Sequence, residues 1–161
     1  MNMVILGIDP GLARTGFGLI KKNKNNLKLI EYGCFTTSTR TPIPLRLKKI
    51  YQNFKKIIKK YKPNLCVVEE LFFDKNAKTA MKVGEARGVI ILAINQGNSH
   101  FLSLTPLQVK MTLTNYGRAS KKQIQKMVQF LLRLKKIPKP DDAADALALA
   151  ICGAKFLRLR K

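Results

Sequence analysis

Met3-Val4-Ile5-Leu6-Gly7-Ile8-Asp9-Pro10-Gly11 is the stretch that decides the fold. The run from Met3 to Ile8 is short and apolar, as in a strand buried on both faces. Asp9 stands at its carboxyl end, and Gly11 and Gly16 punctuate a turn. Taken alone, Asp9 before Pro10 and Gly11 also suits the start of a turn. Working outward, Gly16 to Lys21 reads as a second strand, Lys22 to Asn26 as a polar hairpin turn and Leu27 to Thr36 as a third strand. Leu45 to Tyr61 is an amphipathic helix with Leu47, Ile50, Phe54 and Tyr61 on one face and lysines on the other. Pro63 stops it, and Leu65 to Val68 is a second fully apolar strand that also ends in an acid, Glu69. A helix over 77–95, a strand over 101–104 and a short helix capped by Thr105 and Pro106 follow. Ser120 caps a further helix, and Asp141 begins a last one rich in Ala and Leu. The order β-β-β-α-β-α-β-α-α-α predicts a single α/β domain over 1–161, one sheet covered by helices.

The chain has 161 residues, with 31 Lys plus Arg against 9 Asp plus Glu, a formal net charge of +22. A hydrophobic fraction of 46% makes it a folded protein despite that charge. So basic a surface implies a polyanionic partner, nucleic acid first. The apolar runs are too short to span a membrane. The start has no basic segment ahead of an apolar one and meets an acid at Asp9, so a cytoplasmic protein is expected rather than a secreted one. Cys34, Cys66 and Cys152 lack metal-ligand spacing and read as small buried hydrophobes. His100 is the only histidine, which argues against a Ser-His-Asp triad or a His-based metal site.

The nine acids carry the information, because a basic protein gains affinity for nucleic acid by shedding carboxylates. Asp9 and Glu69 both end strands, and function in open α/β sheets gathers at such ends. Asp142 and Asp145 are three apart at the start of the last helix and share a face. Glu70 turns away from Glu69 by strand alternation. Asp141 suits a cap or first-turn acid and is left out of the site. Four converging carboxylates would repel and raise one another's pKa. Divalent cations with a preference for hard oxygen ligands relieve that cost. Mg²⁺ is expected, with Mn²⁺ as an alternative and two ions per site. Two such ions suit in-line attack of water on a phosphodiester.

At this point the chain resembles the RuvC family of bacterial Holliday junction resolvases along almost its whole length. The residues are Gly7-Ile8-Asp9-Pro10-Gly11 with Thr15-Gly16, then Val68-Glu69-Glu70-Leu71-Phe72 with Lys75-Asn76-Ala77, Gly84 and Ala86-Arg87-Gly88. Val109-Lys110 with Lys121, and Asp142-Ala143-Ala144-Asp145-Ala146-Leu147-Ala148, complete the set. The resemblance implies a ribonuclease H-like fold, a five-stranded mixed sheet with helices on both faces. It implies a homodimeric, Mg²⁺-dependent endonuclease that makes paired symmetric nicks in four-way junction DNA. Metal ligands carry over to Asp9, Glu69, Asp142 and Asp145. Junction-binding lysines carry over to Lys110 and Lys121, and an aromatic residue beside the site to Phe72. The dimer helix falls on 77–95, with the small residues Ala80, Gly84 and Gly88. The branch-migration complex of RuvA and RuvB is the implied partner. Some relatives continue past the basic segment at Lys155, Arg158, Arg160 and Lys161, so contacts of a longer tail are the one expected loss.

Beside the resemblance, Arg118 and Lys122 join Lys110 and Lys121 as expected phosphate contacts, because they flank short-helix and loop positions. Lys75 and Asn76 lie just past Glu69 and are expected near the scissile phosphate. The eight basic residues of 45–62, with no acid among them, read as a solvated face. The alternative function is a ribonuclease H-like nuclease acting on structured RNA. An actin-like ATPase would need two such domains, and a non-catalytic basic module has no use for four convergent carboxylates.

Overall fold

The computed structural model describes residues 2–71 and 77–156. Phe72, Lys75 and Asn76 lie outside the described residues, as do Arg158, Arg160 and Lys161. The chain runs β1 (Asn2–Asp9), β2 (Arg14–Asn23), β3 (Asn26–Thr36), α1 (Ile43–Tyr61), β4 (Leu65–Glu69), α2 (Ala77–Gln96), β5 (His100–Leu104), α3 (Pro106–Thr114), α4 (Lys121–Leu131) and α5 (Asp141–Phe156). The strands form one mixed sheet in the order β3-β2-β1-β4-β5. β1 pairs antiparallel with β2 and parallel with β4.

Strand alternation sorts the apolar residues into two cores. On one face Ile5, Ile20, Leu65 and Val67 pack under α3, α4 and α5. On the other, Leu6, Ile8, Cys66 and Val68 pack under α1 and α2 with Ile50, Phe54, Ile90 and Ile94. Helices therefore cover both faces, as expected. Thr105 and Ser120 cap α3 and α4 through capping boxes completed by Gln108 and Gln123.

Two sequence readings change. Arg46 does not join the solvated basic face of α1: its side chain points inward and is buried. Cys34 is only half-buried, unlike Cys66 and Cys152.

Candidate active site

The parallel register of β1 and β4 ends on Ile8 beside Val68. One step further, Asp9 and Glu69 stand side by side at the carboxyl ends of the central strands. Alternation puts both on the face that carries α5, because Ile5 and Val67 face it.

α5 reaches that strand end because the sheet beneath it has no side chains in the way. A Cβ on Gly7 would sit 1.9 Å from the carbonyl oxygen of Ala146. A Cβ on Gly16, which pairs with Asp9, would sit 2.0 Å from the carbonyl oxygen of Asp142. The first turn of α5 thus lies directly on the strand next to Asp9. Asp142 and Asp145 follow on one side of that turn, where the helix dipole favours carboxylates.

Burial pushes the Asp9 carboxyl up to about 8, and the charges of Glu69, Asp145 and Asp142 push the same way against Lys121. Burial likewise raises Glu69 to about 7, with Asp145 adding to it and Lys121 opposing. Asp145 is raised by burial, partly offset by its hydrogen bond from Lys121. These carboxylates sense one another as a cluster. Each outer member also has a cation: Lys121 Nζ lies 2.9 Å from Asp145, and Arg14 Nη2 lies 2.8 Å from Asp142. With those pairings, no three His, Cys, Asp or Glu side chains among the described residues close on one point as a ligand shell.

A cavity of about 210 Å³ opens beside the cluster, lined by Glu69, Asp145, Lys110, Lys121, Pro106 and Val109. Lys110 and Lys121 are therefore brought to the carboxylates. Lys121 stands at the first position of α4, where a cation opposes the helix dipole; Asp145 and, at 3.7 Å, Asp141 compensate. Arg118 and Lys122 are exposed around the start of α4 and make no ion pair with the cluster. Asp141 pairs more closely with Lys139, 2.8 Å distant, whose hydrogen bond holds its carboxyl below the usual range. On α2, Gly84 is half-buried, and Gly88 is exposed with open space where a Cβ would stand.

Sequence reasoning missed Arg14 and the part played by Arg87. Arg87 reaches from α2 to the end of β4, donating from Nε to the Glu69 carbonyl at 3.0 Å and from Nη2 to Ser103 Oγ at 2.8 Å. Its guanidinium also lies over the Phe101 ring. The only signal was a charged residue set between Ala86 and Gly88. Arg14 gave none, because its partner is 128 residues away.

The geometry is matched by known proteins over nearly the whole chain. A family model described as crossover junction endodeoxyribonuclease RuvC matches residues 5–153. The crossover junction endodeoxyribonuclease RuvC of Desulforamulus reducens is 54% identical over 154 residues, covering 96% of this chain and 94% of that one. That of Finegoldia magna is 48% identical over 162 residues, covering 99% of each. A solved structure of Thermus thermophilus RuvC in complex with a Holliday junction substrate superposes with a TM-score of 0.89 at 31% identity, covering 98% of this chain and 96% of that one. A ribonuclease H-like sheet with carboxylates gathered at its central strand ends, and relatives at this identity end to end, lead to one assignment: the chain belongs to the RuvC family of crossover junction endodeoxyribonucleases.

Proposed function

We propose that this protein resolves Holliday junctions as a metal-dependent endodeoxyribonuclease, with Asp9, Glu69, Asp142 and Asp145 as its metal-binding and catalytic carboxylates. The observation that carries the reading is the delivery of α5 onto Gly16, which sets Asp142 and Asp145 beside the paired strand ends of Asp9 and Glu69. The donor set fits a hard divalent cation. It is all oxygen, and burial has raised three of its members, so a cation relieves a cost already present in the fold. Mg²⁺ in two positions is our reading, with Mn²⁺ as an alternative. Such ions supply Lewis-acid activation of water and neutralise charge on the phosphate.

The chain's own residues do the rest. Lys110 and Lys121 line the cavity beside Glu69 and Asp145, placed to hold a phosphate against the cluster. Lys121 exchanges its pairing with Asp145 for that phosphate. Water attacks phosphorus in line with the 3′ oxygen, the P–O3′ bond breaks, and 5′-phosphate and 3′-hydroxyl ends result. Arg118 and Lys122 extend the phosphate contacts from the start of α4. Phe72, Lys75 and Asn76 follow Glu69 in the chain; we place them at the junction centre and near the scissile phosphate. These contacts carry no base sequence and predict steep salt dependence.

Paired nicking requires two sites, and the outer face of α2 supports a C₂ dimer. Ala86, Ile90, Ala93 and Ile94 bind the helix to its own sheet. Met81 and Leu92 remain 66% and 51% exposed, and Gly88 offers a flat approach between them. Ala80 and Gly84 precede Gly88 in this small-residue row. We place the protein in the cytoplasm as one nuclease domain, acting with RuvA and RuvB. None of the relatives named above supports the RNA alternative.

The test compares a synthetic four-way junction with linear duplex and an RNA hairpin in Mg²⁺. Symmetric nicks in the junction alone are expected. An intact junction beside a cut hairpin overturns the reading. Leu92→Glu is expected to give monomers by sedimentation and to uncouple the two nicks.

A further inference from the structure

The turn between β1 and β2 supplies none of the four carboxylates, yet it is tied down along its length. Thr15 Oγ1 donates to the Gly11 carbonyl at 2.6 Å. The Thr37 hydroxyl donates to the Leu12 carbonyl, and the Thr37 N–H donates to the Ala13 carbonyl at 3.0 Å. Behind Thr37 stands the buried Arg46 of α1, whose Nε donates to the Thr37 hydroxyl at 2.8 Å. An arginine is seldom buried, and burying one costs free energy unless its donors are used. Here the fold uses one to fix a surface turn. The residue that leaves this turn is Arg14.

Arg14 meets Asp142 in a particular way. Its Nε and Nη2 lie 2.9 and 2.8 Å from the same oxygen, Oδ2. Among the described residues Oδ1 accepts no hydrogen bond. A guanidinium that only neutralised a carboxylate would do so best with its two parallel donors spread over both oxygens. Closing the fork on one oxygen anchors that oxygen with two donors and leaves the other oxygen available. The pair is also partly solvated, with side chains 52% and 27% exposed, so its charge is screened.

We propose that Arg14 is a positioning residue, holding Asp142 through Oδ2 so that Oδ1 is presented to a divalent cation. The inference rests on Asp142 belonging to the metal site. Outer partners that orient a ligating carboxylate are worth tens of fold in affinity, because the ligand no longer has to be ordered when the cation arrives. The rigid pair of donors does this work; a lysine brings the charge without the fork.

The test is direct Mn²⁺ titration of the full-length protein without DNA, followed by the loss of the free-ion electron paramagnetic resonance signal. Arg14→Gln is expected to weaken binding about tenfold or more. Arg14→Lys is expected to recover only part of that. Thr37→Val, which loosens the turn and leaves both Arg14 and Asp142 in place, is expected to weaken binding by a smaller factor, and it serves as the readout should Arg14→Gln fail to fold. Unchanged or tighter binding in Arg14→Gln overturns the proposal, tighter binding making Arg14 a competitor for Asp142. Full recovery by Arg14→Lys overturns it too, since charge alone would then suffice. Asp142→Asn separates this from the site itself. If that variant binds Mn²⁺ like wild type, Asp142 is not a ligand and the site reading fails. If it binds weakly while Arg14→Gln does not, only the role of Arg14 falls.

Discussion

The two faces of the sheet bury their helices by different means. Under α5, backbone touches backbone: Gly7 and Gly16 admit the helix, and Ala143, Ala144 and Ala146 are fully enclosed. Under α1 and α2, bulk fills the space: Phe54, Ile50 and Ile90 meet Phe17 and Phe35, with Phe17 stacked on Phe35 at 4.8 Å between ring centres. The outer surfaces differ as well. The α5 side opens a small cavity of about 210 Å³ lined by two carboxylates and two lysines, whereas the α1–α2 side opens a groove of about 600 Å³ lined by Lys55, Lys59 and Lys62. Size does not mark the site here. A backbone-on-backbone contact places a helix end without side-chain slack, and metal-dependent chemistry needs that placement. A bulky core can shift rotamers and still fill its volume.

The largest expected effect removes a charge from the close-packed side. Asp9→Asn is expected to lower junction cleavage by about a thousandfold or more. Junction binding should hold or strengthen, since a negative charge beside phosphate is gone. Normal nicking by this variant would break the assignment of the acidic side as the catalytic one.

A methyl group sharpens the comparison next. On Gly16 it meets the Asp142 carbonyl, which cannot rotate away. Gly16→Ala is expected to cost about 1–3 kcal/mol of stability and, by displacing the first turn of α5, about a hundredfold in cleavage. Ile50→Val, fully buried on the opposite face, is expected to cost about 0.5–1.5 kcal/mol and leave cleavage as it was. Melting curves beside single-turnover cleavage read both. Equal cleavage losses in the two variants would remove the distinction between the faces.

The sequence disclosed one side of this contrast better than the other. Period and capping are local, so the helices opened by Thr105 and Ser120 were legible. So were Asp9 and Glu69, because each ends an apolar run. Their adjacency was not, since it depends on the parallel register of β1 with β4. Gly16 reads from sequence as a turn residue; only the arrival of α5 shows that its missing side chain is where Asp142 sits. Arg46 looked like one more cation on a lysine helix, and only the position of Thr37 explains why it turns inward. What stayed hidden depends on contacts between distant parts of the chain.

The smallest expected effect concerns the cost of the acidic side when no cation is bound, and its sign follows from linkage. Asp9 ionises near 4 in an unfolded chain but is raised to about 8 in the fold, and Glu69 is raised to about 7. Above pH 4 the folded protein therefore keeps protons that the unfolded chain has lost. Stability from this source is complete below pH 4 and is lost as pH rises through 7 and 8. In a chelator, wild type should lose stability between pH 6 and 9, on the order of 2 kcal/mol, while Asp9→Asn, with no charge to bury there, should lose less. Saturating Mg²⁺ should erase the difference in wild type, because metal replaces the protons and its apparent affinity rises over the same pH range. The observable is the melting temperature of Asp9→Asn minus that of wild type, which cancels groups common to both. A difference that stays constant from pH 6 to 9 would mean that Asp9 is already ionised at neutral pH. Asp9 would then hold no proton for a metal to displace in that range, and any cost of ionising it would already be met below pH 6.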